Sequence, residues 1–209
     1  MNESDGPEIR SQIVEIGRSI FDRGLTGGST GNISVRVGER FLMTPTGSSL
    51  GRLDGDRLCL LDAAGNHLEG DPPTKESVLH LAMYEKRPDA QAVIHLHSTH
   101  AVAVSCLDDI DPTDVLPPIT AYYVMRVGRL PLVPFYPPGD VDLAQAVGRL
   151  AAEHHAVLLA HHGPVVAGGS LSAGADAVEE LEETARLYLL LRGHSYRTLT
   201  DEQVRVLGR

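Results

Sequence analysis

Cysteine is scarce in this chain: its 209 residues contain two, Cys59 and Cys106. Both stand in apolar stretches, residues 58–61 and 102–107. A free thiol packs there as a small hydrophobe, so a disulfide framework is not needed and neither cysteine is expected to bind metal or act as a nucleophile. Long hydrophobic runs are missing too. No run approaches the ~20 apolar residues of a membrane helix, and residues 1–10 carry no charged-then-apolar leader. A soluble, cytoplasmic protein with no membrane partner is expected. Positive charge is the third shortage, with 18 Lys and Arg against 28 Asp and Glu and a net charge of -10. That balance would repel a phosphate backbone, and no basic stripe interrupts it, so no nucleic-acid partner is expected. With no internal repeat, low-complexity tract or long linker, residues 1–209 read as a single domain.

What is present is an alternation of periods. Ile9, Ile13, Ile16, Ile20 and Phe21 recur at helical spacing before Gly24, which predicts an amphipathic helix with a glycine cap. A glycine-rich loop over residues 24–32 leads into alternating Ile33 to Val37, and short strands follow at residues 41–44 and 58–61. Helices are expected over residues 76–84, 99–107, 141–152 and 173–191, and strands at 92–94, 130–135 and 157–160. In the last helix Ala177, Val178, Leu181, Ala185, Tyr188 and Leu191 form the apolar stripe. Glu179, Glu182, Glu183 and Arg186 are expected to face away from it. Short strands interleaved with helices imply a layered α/β domain.

Histidine supplies the chemistry. His95 and His97 flank Leu96 at the end of a strand, so both imidazoles project to one face. His161-His162 ends another apolar strand and precedes Gly163-Pro164, a break that would open the strand end to a cleft. Neighbours on a strand face opposite ways, so one of these two can join the first pair. Three imidazoles and an open position would suit Zn²⁺ or a similar divalent ion. Glu76, at a helix entry after Pro72-Pro73-Thr74-Lys75, is the carboxylate best placed as a fourth ligand or a base. Loops at residues 27–32 and at Thr46-Gly47 offer the backbone N–H groups and hydroxyls that a phosphate needs. His80, one helical turn from Glu76, is expected to be a packed or hydrogen-bonded helix residue, and His100 to begin the following helix. His67, His154, His155 and His194 are expected in polar surroundings.

Five segments in order resemble the class II aldolase/adducin family: Gly28-Ser29-Thr30-Gly31-Asn32-Ile33-Ser34, Thr44-Pro45-Thr46-Gly47, Pro73-Thr74-Lys75-Glu76, His95-Leu96-His97 and Leu159-Ala160-His161-His162-Gly163. Tyr122 to Gly128 and Glu179 to Thr184 are most similar to its branch that decarboxylates 3-oxo-tetronate 4-phosphates. The resemblance implies a three-layer α/β/α sandwich around a mainly antiparallel sheet, assembled as a homotetramer with active sites at subunit contacts. It implies metal ligation by Glu76, His95, His97 and His162, with Zn²⁺ the first choice of ion and His161 a structural partner. Glu76 doubles as acid/base, and Tyr122 or its neighbour Tyr123 is the proton donor, reaching the site from another subunit. Phosphate-binding positions fall on Ser29, Asn32, Thr46, Gly47 and Thr74. Where sugar-phosphate aldolases of the family carry two small hydroxyl residues, this chain has Thr74-Lys75, and the added cation suits a substrate bearing a carboxylate beside its phosphate.

The implied reaction is loss of CO₂ from a phosphorylated β-keto acid, leaving an enediolate that a divalent cation stabilises, then protonation to dihydroxyacetone phosphate. The same intermediate arises when an aldolase cleaves a ketose phosphate. A fuculose- or ribulose-phosphate aldolase is therefore the alternative, and an adducin-like interaction domain without catalysis is the third reading.

Overall fold

A computed structural model describes residues 5–208. Residues 1–4 and 209, which the leader and single-domain expectations include, lie outside the described residues. The elements in chain order are α1 (Asp5–Asp22), β1 (Asn32–Val37), β2 (Arg40–Met43), β3 (Cys59–Leu61), β4 (His67–Glu69), α2 (Ser77–Lys86) and β5 (Ala92–His95). They continue with α3 (Thr99–Ser105), α4 (Ala121–Arg126), β6 (Leu132–Val133), α5 (Val141–Ala151), β7 (Ala156–Leu159), β8 (Gly163–Gly168), α6 (Leu171–Leu191) and α7 (Asp201–Val206). Among the described residues no helix is long and apolar enough to cross a membrane.

The eight strands form one sheet in the order β4-β3-β2-β1-β5-β8-β7-β6. Every pairing is antiparallel except β6 with β7. Strand alternation sends side chains to two cores. Ile33, Val35, Ile94, Leu96 and Val166 face α1, α3 and α6, whereas Phe41, Met43, Val93, Val157 and Val165 face α2 and α5. Burying apolar side chains on both faces at ~25 cal/mol per Å² is what holds helices on each side of the sheet. The architecture is the expected three-layer α/β/α sandwich.

Several local expectations need correction. Residues 163–168 form a central strand rather than a break after the histidine pair. Pro164 is tolerated as the second residue of that strand, where its missing N–H falls near the strand end. Glu182 is buried instead of turned to solvent, and it accepts the His100 and Ala101 amides at 3.0 and 2.9 Å and the His100 ring at 2.7 Å. It caps α3, whose first amides would otherwise lack partners. Cys106 is exposed at the end of α3, whereas Cys59 is buried and its thiol is pushed up to about 11 by that burial. The His155 ring has the expected polar surroundings, half-buried between the carbonyls of Ala167 and Val127 at 3.1 and 3.0 Å. Strand β4 and helices α4 and α7 carry no periodic signal of their own, each having six residues or fewer.

Candidate metal centre

The centre lies at the end of the sheet where β1 begins, β5 ends and the β7–β8 turn returns. Register sets Asn32 of β1 opposite His95 of β5, and His95 opposite Val165 of β8. Because Ile94 and Leu96 point into the α1–α6 core, His95 and His97 share the opposite face, as strand alternation requires. His162 reaches the same point from the β7–β8 turn. This reversal depends on His161 at φ 58, a left-handed conformation that histidine adopts more readily than most residues. Gly163 follows at φ 147, and a Cβ there would sit 2.2 Å from the Leu96 carbonyl oxygen. Only glycine lets the turn close so tightly on the His95–His97 segment. His161 itself points outward toward Phe135, with ring centroids 6.2 Å apart. The choice between the two adjacent histidines is thus made by the turn.

His95 Nε2 stands 3.0 Å from His97 Nε2 and 3.3 Å from His162 Nε2. Glu76, at the N-terminus of α2, brings Oε2 within 3.4 Å of His95 Nε2 and Oε1 within 3.2 Å of His162 Nε2. These four side chains form a group whose ligand atoms all lie within 4.8 Å of one another, able to hold a metal ion. Ligands about 2.0–2.1 Å from a tetrahedral ion stand roughly 3.4 Å apart, so the spacing fits such an ion. His95 Nδ1 donates to the Pro164 carbonyl at 2.9 Å, which fixes the tautomer and leaves Nε2 as a lone pair aimed into the cluster. Glu76 Oε1 is buried and accepts no hydrogen bond, a costly arrangement unless a cation answers it.

The electrostatics agree. Burial favours the neutral imidazoles, drawing His95 down to about 3 against the pull of Glu76, and lowering His97 in the same direction. Burial alone would raise Glu76; the close His162 ring, the neighbouring His95 and the Asn32 amide outweigh it and hold the carboxyl below its ordinary range. Neutral nitrogens beside an anionic oxygen are the protonation states that ligation demands.

Behind Glu76 lies a polar network the sequence reading missed. Asn32 Nδ2 donates to Glu76 Oε2 at 2.8 Å, His80 Nε2 meets Asn32 Oδ1 at 2.5 Å, and Ser34 Oγ lies 2.7 Å from His80 Nδ1. The signal was available: Asn32 and Ser34 share a β1 face whose alternates are core, and His80 lies four residues after Glu76 on one helix face.

The other expected site residues divide. Ser29, Thr46 and Gly47 line one cavity of about 480 Å³, together with Ser48, Ser49 and Arg52. Asn32 sits at the cluster, its amide held by Glu76 and His80. Thr74 is buried and its Oγ1 accepts from the Glu76 amide at 3.3 Å, while Lys75 beside it is exposed. Tyr122 is 59% exposed on α4, with the Arg126 guanidinium 5.3 Å from its ring centre, and Tyr123 is buried in the core. Neither tyrosine belongs to the cluster's hydrogen bonds among the described residues.

Residues 11–189 match the model of the class II aldolase and adducin N-terminal domain. The chain belongs to this family. It is 52% identical over 196 residues to a protein of Haemophilus influenzae named 3-oxo-tetronate 4-phosphate decarboxylase, covering 93% of each chain. An L-fuculose phosphate aldolase of the same organism is 33% identical over 206 residues, covering 96% of this chain and 92% of that one. The crystal structure of YgbL from Escherichia coli superposes with a TM-score of 0.95 at 45% identity, over 98% of this chain and 99% of the other. Relatives in the family are thus named as carbon–carbon lyases of two kinds.

Proposed function

We propose that this protein is a carbon–carbon lyase that decarboxylates a 3-oxo-tetronate 4-phosphate to dihydroxyacetone phosphate and CO₂, acting as a single domain. The observation that carries the reading is the meeting of three imidazole Nε2 atoms and a buried Glu76 oxygen in a chain 52% identical to a decarboxylase of that name. His95, His97, His162 and Glu76 would hold the divalent cation, with Zn²⁺ favoured by the three-imidazole donor set. When bound, it supplies a Lewis acid for the substrate's ketone oxygen.

The chain's own side chains account for the rest. Ser29, Thr46 and Gly47 hold the phosphate in the loop cavity, and Thr74 sits beside the Glu76 amide. Lys75 offers its charge to the carboxylate that leaves. Breaking the C1–C2 bond releases CO₂ and moves its electron pair onto the C2–C3–oxygen framework, and a proton delivered to C2 completes the product. Glu76, kept anionic in the free site, serves as base or proton carrier. Tyr122 points out of its own chain, which supports donation to the site of a second copy in a homotetramer. Two free thiols suit a reducing compartment, and we assign the reaction to the cytoplasm.

The test is a substrate comparison on the metal-loaded protein. CO₂ release from a 3-oxo-tetronate 4-phosphate is expected, without aldehyde from L-fuculose 1-phosphate. Aldehyde without CO₂ would reassign the chain to the aldolases, and a protein that takes up no divalent ion would favour the non-catalytic reading. Metal analysis of the protein as purified tests Zn²⁺, and light scattering tests the tetramer.

A further inference from the structure

The hydrogen bonds behind Glu76 run in one direction. An ionised carboxylate only accepts, so Asn32 must turn Nδ2 toward Glu76 Oε2, at 2.8 Å. Asn32 Oδ1 then faces His80 Nε2, which has to carry the proton. His80 Nδ1 is left as a lone pair and takes the Ser34 hydroxyl proton at 2.7 Å. Ser34 Oγ in turn lies 3.0 Å from the Tyr84 hydroxyl, which also reaches the Ser34 carbonyl at 3.0 Å. Reversing the Asn32 or the His80 link would set two acceptors or two donors against each other in a buried site. Asn32, Ser34, His80, Tyr84 and Glu76 are all buried.

The far end is anchored. The Tyr84 ring stacks on Phe41 with centroids 4.6 Å apart, and the Arg36 guanidinium lies 4.8 Å from its centre. Arg36 is itself held by the Ala90 carbonyl at 3.0 Å. The near end is free to act, because Glu76 Oε1 accepts no hydrogen bond and faces His162.

We infer that Ser34, His80 and Tyr84 are positioning residues for the lyase reaction: Ser34 and Tyr84 support the Nε2–H tautomer of His80, which holds Asn32 Oδ1 and so steadies its amide nitrogen on Glu76. One carboxylate oxygen is thereby tied back while the other is kept toward the imidazoles. The inference rests on the assignment of Glu76 as ligand and acid/base. It gives Asn32 a duty toward the carboxylate that is separate from any phosphate contact.

Histidine ¹⁵N NMR on the metal-free protein reads the tautomer without reference to activity. A protonated Nε2 and bare Nδ1 are expected at His80, with the Nδ1–H form gaining population in Ser34→Ala. Steady-state kinetics of the metal-loaded enzyme read the consequence. His80→Phe should lower kcat by roughly tenfold to a hundredfold, the usual cost of losing a residue that orients a ligand. KM should stay within about twofold, as for loss of an interaction made in the transition state. His80→Gln, which can still donate to Asn32, should recover much of the loss, a rescue that a space-filling role would not give. An Nδ1–H tautomer in the wild type, a His80→Phe enzyme with unchanged kcat, or equal losses in the Phe and Gln variants would each overturn the inference. A wild type with no lyase activity would instead sink the proposed function, and the NMR result would still judge the relay.

Discussion

The two halves of the candidate site are built on opposite principles. Around the imidazole cluster His95, His162 and Glu76 are buried and His97 partly so, and two of the four are oriented by a partner: Pro164 fixes His95, Asn32 fixes Glu76, and His80 and Ser34 fix Asn32. In the loop cavity Ser29, Thr46 and Gly47 are exposed, and the Thr46 amide is held by the Pro72 carbonyl at 3.0 Å. The first half is organised in advance for charge that develops during reaction. Under the proposed function the second would contribute binding that substrate and transition state share equally. Changes in the cluster should therefore appear in turnover, and changes in the cavity in affinity.

The sharpest break would come from His162→Ala. Removing one of three nitrogens should take metal content and activity down together, by roughly a thousandfold or more in kcat/KM, measured by metal analysis alongside kinetics. A variant keeping both would dissolve the contrast.

Proton linkage gives the next effect. His80 is fully buried, and burial, opposed by the charge of Glu76, draws it from 6.5 down to about 4. Between those values the unfolded chain takes the proton first, so stability is complete above pH 6.5, declines as pH falls, and levels off near 4. The loss from this one group is about 3 kcal/mol. Urea unfolding across that window should show the metal-free wild type losing more stability than His80→Gln, and equal slopes would contradict the buried neutral imidazole.

Glu182 extends the rigid half one layer outward, because α3 follows directly on His97. Glu182→Ala strips both α3 amides of their acceptor and should cost about 2 kcal/mol, read as a lowered urea midpoint with metal affinity retained. The smallest change belongs to the cavity: Thr46→Ala should raise KM by roughly fivefold to tenfold at constant kcat. A fall in kcat there would show that the loops take part in more than holding the ligand.

The sequence reading could follow whatever rests on period. The α2, α5 and α6 helices, the β1 and β5 strands and the shared face of His95 and His97 come from alternation that the core enforces. It failed where one contact outweighs pattern. Glu182 looks like any outward glutamate until the open end of α3 is set beside it. Choosing His162 over His161 by resemblance agrees with the turn, yet spacing alone could not make that choice, since it depends on a left-handed φ at residue 161. Pro164 marks a break in most sequences and here begins a strand. The relay escaped notice because its members come from β1 and α2, 44 to 50 residues apart, and none is unusual alone. Tyr122 shows the reverse case: the resemblance singled it out, and among the described residues it lies on the exposed side of α4, outside the cluster's hydrogen bonds.

The peptide between His95 and His97 is enclosed by two glycines from distant parts of the chain. A Cβ at Gly31 would come 3.1 Å from the His95 carbonyl oxygen, just as one at Gly163 would strike Leu96 from the other side. A methyl at Gly163 would have to displace the Leu96 peptide, and one at Gly31 would press on the His95 carbonyl. Descendants of such a chain can therefore vary the rim freely but must transmit the reactive end of the sheet unaltered. If the proposed reaction holds, new substrates would be acquired by rewriting the loops at residues 26–30 and 45–49, with the His/Glu cluster carried along as a fixed inheritance.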